Sequence, residues 1–457
     1  MAVLDRSMVT KGLPDGLLES PPAGESTEPA RAAAPEWSPA KRLLFRFGFS
    51  YLLLYLVPSY LEFLSYVPYS DSIVKGYGDF WQAVVPWVGR QAFQQNITVF
   101  TNGSGDTTYN YLEILCFAIV AVMAALVWTL LDRRRANYAR LYEWLRIYVR
   151  FGLAMVMILY GLLKIVPGGQ FGPPSLDRLL QPFGDASPMG LLWTFMGAST
   201  SYTLFAGVTE TLGGLLLTMR RTLLLGALVS AGAMANVVLL NFSYDVPVKI
   251  FSFHLLAMAL FLILPDLRRL ANLFVLNRPV EPAEDRPLFA RRGLHRGALV
   301  FRTLFVVGFA ALIVDTTYDG YKTYGDPARK SPFYGIWNVD ELVDDGQARP
   351  PLTTDGARWR RWVFDYPRSV AIQQMSDSRE RYSLRLDAAK RTFALTRRDD
   401  PAWKSTLTYQ RPEQGRLLLE GTFDGKKVRA VLNRADIPKF RLMTRGFHWI
   451  NEYPFNR

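Results

Sequence analysis

The sequence predicts an α-helical polytopic membrane protein of about seven spans, followed by an antiparallel β-barrel or β-sandwich domain. Three observations predict it. Half of the 457 residues are hydrophobic, and they gather in blocks of about 18–24, the length that crosses a hydrocarbon core roughly 30 Å thick. Basic residues crowd alternate connections between those blocks, the charge bias of cytoplasmic loops. Beyond residue 333 the blocks give way to short, charged, aromatic segments.

Residues 1–40 are rich in Pro, Ala, Glu and Ser, carry no apolar period, and read as a disordered cytoplasmic tail. The first apolar block begins only near Leu43, so this stretch is not a signal peptide. The region 41–135 holds two spans, 43–65 and 111–131, joined by a long external loop, 66–110. That loop contains Trp81 and Trp87 and is expected to fold over the outer face. Its Gly103-Ser-Gly-Asp106 string matches the GxGD pattern of intramembrane aspartyl proteases only superficially, because it lies in a polar loop with no partner aspartate in a span.

The region 136–278 holds four spans, 145–166, 198–219, 222–242 and 248–266. Gly207 and Gly214, and Ala227, Ala231 and Ala235, are small residues at spacings that let helix backbones approach closely. A cytoplasmic linker and a seventh span, 298–315, complete 279–315. Arg133, Arg134 and Arg135, then Arg220 and Arg221, then Arg268 and Arg269, occupy alternate loops. They put the N-terminus in the cytoplasm and, with an odd number of spans, the C-terminal region outside.

Residues 316–457 form the extracytoplasmic β-rich domain. Segments such as Trp359–Phe364, Tyr382–Asp387, Thr392–Thr396, Ser405–Tyr409, Leu417–Phe423 and Val428–Leu432 recur at strand-and-turn spacing. Asp424-Gly425 is a two-residue hairpin signal. Gly335-Ile-Trp337 resembles the Gly-x-Trp strand of lipocalin-type barrels, although any β-domain that begins with a packed tryptophan reads the same way.

Composition removes several functions. The formal charge of +13 belongs to membrane topology rather than to nucleic acid, since no zinc-finger or aromatic-basic RNA-binding pattern accompanies it. With Cys116 the single cysteine, an intrachain disulfide, a CxxC pair, a c-type haem attachment and a cysteine-based zinc site are all excluded. His254 alone of the three histidines lies in a span, so one chain cannot hold a haem between two membrane histidines.

Polar residues at membrane depth mark the candidate site, because they are costly there unless they serve a purpose. Glu210 lies near the middle of its span, and His254 one to two turns below the outer boundary. These two are the expected catalytic or proton-handling groups. Tyr160, Lys164, Asn236, Asn241, Tyr244, Asp245 and Lys249 are the expected ligand-binding set, all toward the outer ends of their spans. Asp245 is placed to hold Lys249 as an ion pair, and Lys164 or Arg150 to pair with Glu210. No metal site is expected. Each residue also has a structural reading: the lysines snorkel, the asparagines join helices, and Tyr244 anchors at the interface.

The strings Tyr148-Val-Arg150, Tyr160-Gly-Leu-Leu-Lys164, Gln170-Phe171, Ser187 to Gly197 and Tyr244-Asp-Val-Pro-Val-Lys249 resemble bacterial DoxX-like integral membrane proteins across about 145–278. The resemblance implies a four-helix membrane core and, for the wider group, quinone-linked sulfur oxidation or membrane redox complexes. The wider superfamily also includes carboxylase-like membrane domains joined to external β-rich domains. The function expected is a quinone-interacting component of a membrane redox system in a bacterial inner membrane. No covalent cofactor is expected; quinone is the anticipated ligand, and membrane lipid and a redox protein the anticipated partners. The alternatives are handling of a lipid-like small molecule between bundle and β-domain, a structural or assembly subunit, and a self-contained enzyme using a lysine base.

Overall fold

The computed structural model describes residues 36–64, 69–100, 102–167, 169–281, 292–324, 331–397, 399–437 and 439–456. The tail expected over 1–40 lies outside the described residues as far as 35, and Pro39 already begins a helix. Among the described residues, six helical stretches are long and apolar enough to cross a membrane. They are α1 (Pro39–Leu64), α3 (Thr108–Leu131), α4 (Ala139–Ile165), α8 (Leu223–Ser243), α9 (Lys249–Ile263) with its continuation α10 (Leu267–Phe274), and α11 (Arg292–Tyr324). The chain is a multi-pass membrane protein with an added β-domain.

The helix expected as the fourth span, α7 (Thr200–Thr218), is not among those six. It nevertheless runs antiparallel along two of them. Gly161 of α4 meets Gly207 and Thr211, and Gly214 meets Ala154 and Ile158. On its other side Gly213 meets Ser230 of α8, and Gly226 of α8 meets Leu217. Its small and polar residues are spent on these two contacts, which lowers its apolarity. Leu204, Phe205, Val208 and Leu212 face outward.

α4 is the hub of the bundle. In its apolar window 56% of residues are buried, against 11–33% in the other five. Leu56 of α1 packs on Gly152, Phe309 and Ile313 of α11 pack on Met155 and Ile158, and α9 closes a further side. The first and last spans therefore belong to the bundle. α3 lies behind α1.

The expected external loop contains a helix, α2 (Asp71–Phe93), whose buried Trp81 and Val85 face Tyr109, Leu112, Cys116 and Phe117 of α3, while its buried Gly89 meets Ile97. The connection between α4 and α7 carries two short helices, α5 (Leu176–Leu179) and α6 (Pro188–Ala198).

The C-terminal domain is a closed antiparallel barrel. Strands β1 (Gly335–Asp344), β3 (Trp359–Tyr366), β4 (Ser369–Gln374), β5 (Arg379–Asp387), β6 (Thr392–Arg397), β7 (Lys404–Gln410), β8 (Arg416–Phe423) and β9 (Lys426–Ala435) pair in sequence order, and β1 pairs with β9 to shut the ring. The two-residue β2 (Gln347–Ala348) pairs antiparallel with the end of β1. Each expected strand falls inside an observed one. The Asp424-Gly425 turn takes positive φ at both positions, as a type I′ hairpin requires. Inward residues alternate along the strands, for example Leu417, Leu419 and Phe423, or Val428, Ala430 and Leu432. Trp337 is buried and donates its indole N–H to the Phe333 carbonyl at 2.8 Å. Trp362, Phe364 and Phe393 are also wholly enclosed, so side chains fill the barrel axis. A short α12 (Arg441–Thr444) follows.

Candidate functional site

Close approach of α4 and α7 creates the deepest polar contact. A Cβ on Gly207 would lie 2.7 Å from the Gly161 carbonyl and 2.9 Å from Lys164 Cβ, so only glycine admits this spacing. Lys164 Nζ then reaches Glu210 Oε2 at 2.7 Å and also the Tyr160 carbonyl at 3.3 Å. The Tyr160 ring lies 5.7 Å from the same ammonium. Side-chain exposure is 9% for Lys164 and 3% for Glu210. Neither group is open to lipid or water, and Arg150 sits elsewhere.

The remaining expected residues separate by helix face. On α9, Phe251 turns to Tyr160 of α4, Ser252 to Asn241 of α8, and His254 to α1. Asn241 Nδ2 donates to Ser252 Oγ at 3.0 Å, an interhelical bond. Asn236 is exposed on the outer side of α8. Tyr244 packs beside Leu192, Met196 and Val246 under α6. Lys249 Nζ lies 2.7 Å from Asp245 and 3.8 Å from Asp106. The Asp106 carboxylate also accepts the backbone N–H groups of Lys249 and Ile250 at 2.8 and 3.0 Å. The GxGD string is thus the N-terminal anchor of α9.

His254 has the most chemically suggestive surroundings. Its Nδ1 is 2.8 Å from the Ile250 carbonyl, an acceptor, so Nδ1 carries the proton. Nε2 is then an acceptor and takes the Tyr51 O–H at 2.7 Å. Tyr55 stacks on the imidazole, 4.0 Å between centroids and 12° between planes. Tyr51 and Tyr55 are one helical turn apart on α1 and were not singled out in the sequence. Behind them Glu113 of α3 receives a hydrogen bond from Tyr109 at 3.3 Å and lies near Tyr55 and Tyr77. A carboxylate inside an apolar block is the signal that finds Glu113; its place at the start of the second span makes it resemble a boundary residue. Tyr51, Tyr55 and His254 are all half-buried.

The barrel is tied to the bundle at α5. Asp365 of β3 accepts the N–H groups of Leu176 and Asp177 at 2.7 and 2.9 Å. Asp177 in turn meets Arg379 at 3.3 Å and Arg381 at 2.6 Å. Leu176 inserts among Ile336, Val363 and Ala371 on the barrel wall. Outside the membrane, burial raises the Asp365 pKa above the ordinary aspartate value, and the two N–H groups offset part of that.

Fold and site together define a multi-pass helical membrane protein that carries a β-barrel on the connection between two core helices. The chain belongs to the family of the uncharacterized protein YwoB of Bacillus subtilis (strain 168), to which it is 34% identical over 144 residues, 31% of this chain and 87% of that one. No family model matches the chain, and no solved structure matches it. The resemblance to DoxX-like proteins accordingly rests on the strings quoted above.

Proposed function

We propose that this protein is a DoxX-like, quinone-interacting component of a membrane redox system in a bacterial cytoplasmic membrane, with its N-terminus inside and its barrel outside. The observation that carries the reading is the Tyr51–His254 hydrogen bond beneath the Tyr55 ring. Oxidation of a quinol releases two electrons and two protons. The sequence has no redox-cofactor motif, so a partner protein takes the electrons. Tyr51 is placed to accept one quinol proton while passing its own to His254 Nε2, whose tautomer is set to receive it, and the second proton leaves with the electrons to the partner protein. The flat faces of Tyr51 and Tyr55 suit a quinone ring. Proton handling falls to His254 rather than Glu210, because Glu210 is sealed in its ion pair and His254 is half-open.

The test is mass spectrometry of small molecules extracted from the protein in native-lipid particles, with Tyr51→Phe and His254→Gln alongside. Quinone enriched over bulk lipid in the wild type and depleted in both variants supports the reading. A single enriched lipid in place of quinone would favour lipid handling. Extracts identical to bulk membrane in all samples would leave a structural role for these residues.

A further inference from the structure

The chain enters and leaves the barrel at one end. Ile336, near the start of β1, lies opposite Ala435, the last residue of β9. Leu176 of α5 inserts beside Ile336 at that end, and Phe440, beyond β9, packs against the same cluster. α5 lies in the connection that leaves α4, and β1 is the strand that follows α11. Both α4 and α11 are long and apolar enough to cross a membrane, so this end of the barrel is the one that faces the bilayer. The C-terminal segment 441–456 emerges there.

That segment is shaped by contacts with itself. Arg445 donates from Nη2 to Asn451 Oδ1 at 2.7 Å and sets its guanidinium 4.0 Å from the Phe455 ring centroid. Asn451 Nδ2 donates to the His448 carbonyl at 3.1 Å. Phe447 and Trp449 meet edge to face, 5.0 Å between centroids. The turn held in this way leaves its apolar side chains outside: Phe447, Trp449, Ile450 and Tyr453 are 76–89% exposed. The barrel itself differs. Among the described residues from 335 to 435, the exposed large hydrophobic residues are Leu352 and Tyr366.

Exposed apolar residues gathered in one place mark an interaction surface. Residue type and charge identify the occupant. Trp and Tyr favour the headgroup level of a bilayer, where a ring buries its apolar body and keeps its polar tip wet. Over 436–457 Lys439, Arg441, Arg445 and Arg457 outnumber Asp436 and Glu452, a balance that suits anionic headgroups.

We propose that residues 447–453 are a membrane-surface anchor. Phe447, Trp449, Ile450 and Tyr453 enter the headgroup–acyl boundary of the bilayer that the helices cross. The anchor gives the barrel an attachment of its own to the lipid, beside its connection to α11 and its joint with α5.

The test places a thiol at Glu452→Cys, next to the apolar residues but not one of them, in the full chain carrying Cys116→Ala. An environment-sensitive fluorophore on that thiol is read in vesicles of phosphatidylcholine and phosphatidylglycerol, with and without lipid spin-labelled near the headgroup. Lys426→Cys, at the opposite end of β9, is the control. Spin-labelled lipid is expected to quench the probe at 452 and to leave the probe at 426 bright. Adding Trp449→Ser with Ile450→Ser is expected to abolish the quenching at 452; circular dichroism checks that this chain folds, and unchanged emission at 426 checks its barrel. Equal quenching at 452 and 426 would overturn the inference. So would quenching at 452 that survives the double substitution, since nearness to lipid would not then depend on the apolar residues. A blue-shifted probe at 452 that lipid does not quench, and that shifts back when the protein is diluted in lipid, would overturn it in favour of a second copy of the chain.

Discussion

Lys164 and Glu210 show how much a single buried contact can demand of its neighbours. Each charge is removed from water at a cost of several kcal/mol, repaid only while the 2.7 Å contact holds. Glu210→Gln removes the negative charge that balances the buried ammonium and leaves it neutral carbonyl acceptors alone, and is expected to destabilise the bundle by about 3–5 kcal/mol. Replacing both partners, Lys164→Met with Glu210→Leu, is expected to restore stability to near the wild-type value or above it. Melting in detergent distinguishes the two cases. A double variant as unstable as Glu210→Gln would show that the pair does more than satisfy itself. The depth of these residues was legible in the sequence, because 1.5 Å per residue converts position into height. Their direction was not. Phe251, Ser252 and His254 are near neighbours at one height, yet they face α4, α8 and α1 respectively. A pattern apolar on every side carries no information about azimuth, so the candidate site read from depth alone separates into distinct contacts.

Among the elements, the glycines of α4 and α7 decide the packing. Gly207→Ala places a methyl 2.7 Å from the Gly161 carbonyl and 2.9 Å from Lys164 Cβ, so the helices must part. The expected cost is about 1–3 kcal/mol, with weakening of the Lys164–Glu210 contact. Gly232 of α8 has nothing within 4 Å of its would-be Cβ. Gly232→Ala is therefore expected to stabilise the same protein by roughly 0.5–1 kcal/mol, the helix preference of alanine over glycine. Equal effects at the two positions in a melting experiment would refute the packing account. The spacing of Gly207 and Gly214 indicated this interface before the structure did. α2 was less legible, since Gly76, Gly78, Pro86 and four charges break its apolar run. Burial of Trp81 and Val85 against α3 overrides those local preferences. The barrel was legible as short alternating strands, whereas its closure through β1 and β9 depends on contacts between residues almost a hundred positions apart.

At the scale of the whole molecule, the barrel is held by more than its tether to α11. Its β3 edge caps α5, and α5 lies in the connection that leaves α4 just beyond Lys164. Docking therefore couples the β-barrel to the hub helix of the bundle. Its pH dependence follows from Asp365. Burial raises the docked pKa above the value of about 3.9 for a free aspartate. Between the free and docked values the docked state binds more proton than the released one, so docking weakens as pH rises through that window and is constant below it. Asp365→Asn retains an acceptor oxygen for one of the two N–H groups and removes the titration. Hydrogen exchange at Leu176 and Asp177, corrected for its intrinsic pH dependence, is expected to show protection that declines across the window in the wild type and stays level in Asp365→Asn. Arg381→Gln is expected to lower protection at every pH, since it removes the 2.6 Å partner of Asp177, and to move the window to higher pH, since the Arg381 charge helps to hold the Asp365 pKa down. The barrel's own core, closed around Trp362, Phe364 and Phe393, should keep its protection in both variants. Parallel pH profiles for wild type and Asp365→Asn would mean that Asp365 does not govern the joint, and the coupling would then rest on Asp177 and the Leu176 contact alone.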